Sequence, residues 1–254
     1  MRLEGKVAAI TGAGSGMGRA MANLFAAEGA KVVAADWNQA ALDAVVAEVI
    51  AAGGAITGVQ GDVAQVATCE AIVGAATGTF GRLDVLCNNA GVMDDFAGVA
   101  EFSDAMLTRV FGINVHGPAY LSRLAVPRMI AQGGGSIVNT ASVAGMHGGA
   151  AGVVYTMSKH ACVGLTRSTA WHYGKQGVRC NAIIAGAVET NIMASVDASK
   201  LNPTGAAVAG IYAGIIPAML KPLDIAHLAL YLASDESRMI NGALIPADAG
   251  WTAA

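Results

Sequence analysis

Tyr155 and Lys159 stand four residues apart in a stretch whose apolar spacing predicts a helix, so the phenol and the ammonium share one face. A free phenol titrates near pKa ~10 and is a poor base at neutral pH. A neighbouring cation favours the phenolate and turns such a pair into an acid/base. Ser142 lies just past a predicted strand, Ser136-Ile-Val-Asn-Thr140, where its hydroxyl can bond a substrate oxygen while the tyrosine moves the proton. A Tyr-x-x-x-Lys pair alone also describes an ordinary surface contact, so its weight depends on what else the chain brings to the same place. Asn114 is a second oddity: asparagine is a poor helix former, yet it sits inside a predicted helix over 103–131, interrupted by Gly112, Gly117 and Pro118. Something uses its amide.

The amino-terminal stretch supplies the partner for this chemistry. Val7-Ala8-Ala9-Ile10 is an apolar run without alternation, as a strand buried on both faces requires. Glycines follow at 12, 14, 16 and 18, and then Ala20, Met21, Leu24 and Phe25 repeat at helical spacing. A strand, a turn nearly free of side chains and a helix start form a phosphate site, with backbone N–H groups and the positive helix end facing the anion. The spacing is T-G-x-x-x-G-x-G, because Met17 occupies the third glycine position of the common G-x-G-x-x-G fingerprint. A second buried strand, Lys31-Val-Val-Ala-Ala, ends at Asp36, twenty residues beyond Gly16. An acidic residue there hydrogen-bonds the adenosine ribose and repels a 2′-phosphate, which favours NAD over NADP; the plain alternative is an N-cap for the helix opening near Asn38. Asp62, past the third strand, either receives the adenine amino group or caps the helix starting near Gln65. Asn88-Asn89-Ala90-Gly91 closes the fourth strand with small and amide residues suited to close ligand approach, or with an Asn-rich turn.

Seven predicted strands alternate with helices, which makes the chain α/β with a doubly wound parallel sheet and right-handed crossovers. The 254 residues suit one large domain, 1–254, with a substrate loop over 187–218. A net charge of −3 and a pI near 5.9 argue against nucleic-acid or anionic-membrane partners. With 54% hydrophobic and 13% charged residues, part of the surface is expected to be covered by self-association. Cys69, Cys87, Cys162 and Cys180 are scattered, as free thiols of a cytoplasmic protein would be, and neither they nor the five histidines have metal spacing. The uncharged stretch 201–220 is long enough to span a bilayer, but two prolines and three glycines make it a mobile apolar loop with a short helix. The substrate pocket is expected from 93–96, 144–149 and 187–218, with Met93, Phe96, Met146, Ile192 and Met193 prominent, Lys200 able to swing in, and Asp94 and Asp95 solvated.

Taken in order, TGAGSGMG (11–18), Asp62-Val63, NNAG (88–91), Asn114, Ser142 and Tyr155-x-x-x-Lys159 resemble the short-chain dehydrogenase/reductase family over essentially the whole chain. The resemblance implies a Rossmann-like sheet of seven strands in order 3-2-1-4-5-6-7. It implies Tyr155 as acid/base, Ser142 polarising the carbonyl or alcohol oxygen, Lys159 on the nicotinamide ribose and tuning the tyrosine, and Asn114 holding a water in a proton relay. Cofactor contacts are expected at Gly12, Ser15, Gly16, Met17, Gly18, Asp36, Trp37, Asp62, Val63, Asn89, Ala90, Gly91, Gly186, Val188 and Thr190, besides Tyr155 and Lys159. The implied activity is NAD-dependent interconversion of a secondary alcohol and a ketone, on a neutral and fairly apolar small molecule. Alternatives are a 3-oxoacyl-carrier reductase and a non-catalytic NAD-binding regulatory protein. Many family members are tetramers paired through two long helices, here 103–131 and 153–175, so a homotetramer or homodimer is expected. Two departures stand out: Ala185-Gly186 replaces the family's Pro-Gly and leaves the following loop less restrained, and Asp248-Ala249-Gly250 replaces Asp-Gly-Gly.

Overall fold

The computed structural model describes residues 1–253. Seven strands form one parallel sheet: β1 (Val7–Thr11), β2 (Lys31–Asp36), β3 (Ala55–Gln60), β4 (Val85–Asn88), β5 (Gly135–Thr140), β6 (Val178–Ala185) and β7 (Leu244–Ala247), in spatial order β3-β2-β1-β4-β5-β6-β7. Every β1 residue is buried because helices cover both faces. Ala8 and Ile10 pack with Val32, Ala34, Val85 and Cys87 toward α1 (Gly16–Ala27), α2 (Gln39–Ala51) and α8 (Pro222–Ala233). Val7 and Ala9 pack with Val33, Ala35 and Leu86 toward α3 (Val66–Phe80) and α5 (Gly117–Ala131). The alternation that a half-exposed strand would write into the sequence is therefore missing, and apolar runs take its place. Sequence order reverses between β1 and β4, and a crevice opens there at the carboxyl ends of the strands.

The helix expected over 103–131 is not interrupted. Residues of α4 (Asp104–Phe111) pass into a π-helical turn, Gly112–His116, and on into α5, with Gly112 (φ −53°) and Gly117 (φ −52°) both helical. Pro118 falls in the first turn of α5. Helix α6 (Val153–Tyr173) is keyed to the sheet by a buried polar thread. Asn88 Nδ2 donates to Asn139 Oδ1 (2.8 Å), Asn139 Nδ2 donates to Thr166 Oγ1 (2.8 Å), and Thr166 Oγ1 donates to the Cys162 carbonyl (2.8 Å). Bonds of this kind tolerate little sliding, so α6 has one register against β4 and β5. The 201–220 stretch contains α7 (Pro203–Ala213); among the described residues no helix is long and apolar enough to cross a membrane.

Both departures near the carboxyl edge acquire physical content. Strand β6 stays paired through Ala185, opposite Ala247, and the Gly186 N–H donates to the Ala247 carbonyl (3.0 Å), so the missing proline does not loosen this strand end. A Cβ on Gly186 would lie 2.6 Å from Asp248 Cα, which excludes a side chain there. Ala249 has φ +56°, a left-handed conformation that opposes its methyl group. Ala249→Gly is expected to raise stability by up to about 1 kcal/mol, the relief exceeding the added chain entropy. Urea or thermal denaturation reads this directly, and a lower midpoint would contradict the assignment of strain.

Candidate active site

The crevice is a cleft of about 1080 Å³. It gathers Ser142, Tyr155 and Lys159, and every residue expected to touch the cofactor except Gly18. Gly18 is buried in α1, where a Cβ would run into the Gly12 carbonyl; its glycine serves the fit of turn against helix. Asn114 also stays outside the cleft wall, for a reason given below.

Helix α1 begins in the cleft without protection. Ser15 occupies its N-cap with extended backbone but makes no side-chain cap bond, and no acidic residue lies in the first turn. In contrast, Asn38 caps α2 and Asn202 caps α7 through their own side chains. The free N–H groups and positive end of a twelve-residue helix thus face the cleft, as an anionic diphosphate requires. Gly16 adopts φ +50° beneath Thr190, and a Cβ on Gly14 would lie 2.9 Å from the Asp36 carboxyl. That closeness is used: the Gly14 N–H donates to Asp36 Oδ2 (2.8 Å) and the Asn38 N–H to Asp36 Oδ1 (2.9 Å). Asp36 is therefore not the helix cap, since Asn38 Oδ1 takes the Ala41 N–H instead (3.1 Å). It is a buried carboxylate tied to the glycine turn, with lone pairs left to face the cleft. Trp37 beside it is 73% exposed. Asp62 caps no helix either; its Oδ1 takes the Ala64 N–H (2.9 Å) before α3 begins, and it borders the cleft as an exposed side chain. Thr11, which opens the T-G-x-x-x-G-x-G motif, stitches the crevice: its Oγ1 accepts the N–H groups of Asn89 and Ala90 (3.0 Å each).

Tyr155 and Lys159 are buried together on α6, the Lys159 Nζ lying 5.5 Å from the Tyr155 ring centroid. That ammonium donates to the Thr140 carbonyl at the end of β5 (2.8 Å), which leaves two of its three protons for ligands. The Tyr155 hydroxyl has no hydrogen-bond partner among the described residues. Ser142 is half-buried, its Oγ accepting the Ala144 N–H (3.1 Å), so its own proton is free to be donated. The Asn114 amide is used, but by the protein. Its Nδ2 donates to the Val92 carbonyl (3.0 Å) and to Ser158 Oγ (3.1 Å), and its Oδ1 accepts the Val92 N–H (2.9 Å). Ser158 Oγ in turn donates to the Tyr155 carbonyl (2.7 Å). Asn114 thus braces the helix that carries the phenol.

On the substrate side, Met93, Ile192 and Met193 line the cleft as expected, joined by Ile216, Met219 and Trp251. Phe96 and Met146 do not: Phe96 lines a separate cavity of about 450 Å³, and Met146 points into solvent. Lys200 lies outside the cleft, 3.5 Å from Asp197. Arg109 was not foreseen. It reaches across from α4 to the carbonyls of Ser195 (2.7 Å) and Met93 (3.4 Å), while Ser195 Oγ accepts the Met93 N–H (3.0 Å), so the 187–218 segment is fastened to the cleft wall. Its base is closed by the bridge between Val188 and Leu220. Asp94 is not solvated; it is 1% exposed and accepts three backbone N–H bonds, while Asp95 is half-buried. Burial pushes the Asp94 carboxyl up, against the bonds from Tyr155, Phe96 and Gly152 that favour its charge. The four cysteines are unpaired and buried, and burial pushes the Cys69 thiol up to about 11 and that of Cys87 to about 12, which removes them as nucleophiles.

Comparison with known proteins agrees with this geometry. Residues 12–252 match the family model described as enoyl-(acyl carrier protein) reductase. The chain is 38% identical over 252 residues to 3β-hydroxysteroid dehydrogenase 2 of Eggerthella lenta, covering 99% of this chain and 96% of that one. Levodione reductase superposes with a TM-score of 0.90 at 36% identity, over the full length of both chains. A structure described as an NAD(P)-dependent gluconate 5-dehydrogenase from Beutenbergia cavernae, with NADP at low occupancy, superposes with a TM-score of 0.87 at 35% identity, covering 99% of this chain and 98% of that one.

The bracing assigned to Asn114 has a measurable cost. Asn114→Ala removes three hydrogen bonds and strands buried partners, so unfolding is expected to become easier by about 2–4 kcal/mol in urea. A loss below ~0.5 kcal/mol would show that the amide is not a brace.

Proposed function

The chain belongs to the short-chain dehydrogenase/reductase family, and on that premise we propose that it is an NAD-dependent oxidoreductase interconverting a secondary alcohol and a ketone, with Tyr155 as the acid/base. The observation that carries this reading is convergence in one cleft. A free phenol and a buried ammonium from α6, and a free hydroxyl from the segment after β5, lie along the same wall as an uncapped helix start and the Asp36 carboxylate. These residues fit a dinucleotide. The glycine turn and α1 would hold its diphosphate, Asp36 the adenosine ribose, and Lys159 the nicotinamide ribose. When bound, the nicotinamide supplies a hydride acceptor or donor.

The chain's own groups handle the proton and the oxygen. In oxidation, the ionised Tyr155 oxygen accepts the alcohol proton, and Ser142 donates a hydrogen bond to the substrate oxygen to hold it in line. The Lys159 charge stabilises the negative charge on the phenolic oxygen. Resupply of the proton would run through a water held at the backbone of Asn114, because its side-chain amide is spent on Val92 and Ser158. In reduction the same proton path runs backwards.

Asp36 supports NAD over NADP: its carboxylate would repel a 2′-phosphate at the spot where it would bond a ribose hydroxyl. A neutral, apolar substrate suits a wall made of Met93, Ile192, Met193, Ile216, Met219 and Trp251. The basic side chains bordering the cleft are Lys159 and Arg109, and Arg109 is engaged by two carbonyls, which disfavours an acyl carrier with its phosphate. The outer face of α6 exposes Met157 and Trp171 (86%), which supports pairing of copies through this helix, as a homotetramer or homodimer. Four free thiols suit a reducing cytoplasm.

A panel of secondary alcohols and ketones, followed by absorbance of the reduced nicotinamide, tests the activity. Tyr155→Phe is expected to lower kcat by about 10²–10⁴-fold while NADH still binds; turnover left intact would refute the mechanism. Asp36→Ala should raise KM for NAD and narrow the NAD/NADP gap by about tenfold or more, and a wild type preferring NADP would overturn the cofactor assignment.

A further inference from the structure

Helix α6 begins without a cap of its own. Gly152 occupies the N-cap of α6 and has no side chain to offer, and the first turn holds no acidic residue. The missing acceptors come from a loop about sixty residues earlier in the chain. Asp94 Oδ1 accepts the Gly152 N–H (3.1 Å), Asp94 Oδ2 accepts the N–H of Tyr155 itself (2.8 Å), and the Ala97 carbonyl accepts the Val153 N–H (3.0 Å). Three of the four donors at this helix start are therefore met from outside the helix. A Cβ on Gly152 would lie 2.5 Å from Asp94 Oδ2, so the absence of a side chain at the cap is what lets the carboxylate in.

The loop holding Asp94 is itself constrained. Its Oδ1 also takes the Phe96 N–H (3.1 Å), and Phe96 adopts φ +63°, a costly conformation for an aromatic residue. The next residues reach the substrate segment: the Asp95 carbonyl accepts the Asn202 N–H (2.8 Å), Asn202 caps α7, and Gly205 of α7 packs so tightly on the Phe96 carbonyl that no side chain fits. One four-residue loop thus ties the start of the catalytic helix to the start of the helix above the substrate.

We propose that Asp94 is a positioning residue for the reaction: it caps α6 from outside, through the backbone N–H of Tyr155, and so sets where the phenol stands relative to the substrate oxygen. The inference rests on Tyr155 being the acid/base. Asp94 acts on the backbone of that residue and touches neither substrate nor cofactor: it does not border the cleft that gathers their contacts. Because a misplacement of about 1 Å costs on the order of 10²-fold in rate, a loosened first turn should fall on kcat and not on cofactor binding.

The experiment compares wild type with Asp94→Ala and Asp94→Asn in kcat, KM for NAD, NADH affinity by fluorescence, and amide hydrogen exchange of the peptide spanning 152–156. Asp94→Ala is expected to lower kcat by about 10–100-fold, to leave NADH affinity and KM for NAD within about twofold, and to speed exchange at Tyr155 about tenfold. Asp94→Asn keeps one acceptor oxygen and should recover part of kcat. The proposal is overturned if Asp94→Ala keeps kcat within about twofold, if exchange at Tyr155 is unchanged, or if kcat and NADH affinity fall together. Should Asp94→Ala fail to fold, Asp94→Asn decides by the same criteria. If the wild type turns over no alcohol or ketone, the functional reading fails, while exchange at Tyr155 still judges the cap.

Discussion

A helix that carries reactive side chains must be held by groups it does not own, and the hold on α6 is the constraint on which this structure depends. Four hydrogen-bonded grips hold it, from the loop of Asp94, the π turn of Asn114 and strand β5. Asp94 takes the Tyr155 N–H, Ser158 relays Asn114 onto the Tyr155 carbonyl, Lys159 fastens to the end of β5, and Thr166 is keyed through Asn139 to β4. The grips fall on one face of the helix and are spread over three turns, so sliding and fraying are each opposed by a directional bond. Apolar packing alone is non-directional and would leave the phenol free to shift within the cleft.

The same logic runs through the other half of the cleft. There the constraint is space: the glycine turn lets Asp36 reach a backbone N–H, and Thr11 pins the loop after β4 beside the turn after β1. Charge is placed by leaving things out. Helix α1 lacks a cap and an acidic first turn where an anion is to bind, whereas α6 lacks its own cap because a buried carboxylate replaces it. Two helix starts with the same local deficiency therefore have opposite electrostatic fates, one open to a ligand and one neutralised from within.

Much of this was legible in the chain. Continuous apolar runs such as 7–10 and 32–35 announced strands buried on both faces, and Gly53-Gly54 marked the end of α2. The parallel, doubly wound sheet followed from alternation, and the strand order from the resemblance. The site residues near strand ends were legible for the same reason, since in a parallel sheet all carboxyl ends open on one edge. The exceptions are instructive. Gly18 was read as a ligand contact and proved to be a packing glycine, because glycines of both kinds look alike in a sequence. Asn114 was recognised as out of place, yet the use of its amide depends on Val92 and Ser158, residues with no signal of their own. The helix over 103–131 looked broken because its glycines and proline are weak helix formers, yet Gly112 sits in a π turn and Gly117 and Pro118 in the first turn of α5.

Asp94 marks the boundary most clearly. Taken locally, two adjacent aspartates after a glycine look solvated, because ionised side chains are seldom buried. Its own loop gives one N–H donor, and only the meeting of that loop with an uncapped helix start supplies the other two, enough to hold a carboxylate away from water. By itself the sequence determined the order of elements, the buried strands, the open edge and the residue types able to carry acid/base chemistry, since all of these depend on neighbours a few positions away. The tertiary structure decided which polar groups are spent on the scaffold and which remain free for a ligand, because a hydrogen bond between distant segments exists only once the chain has closed on itself.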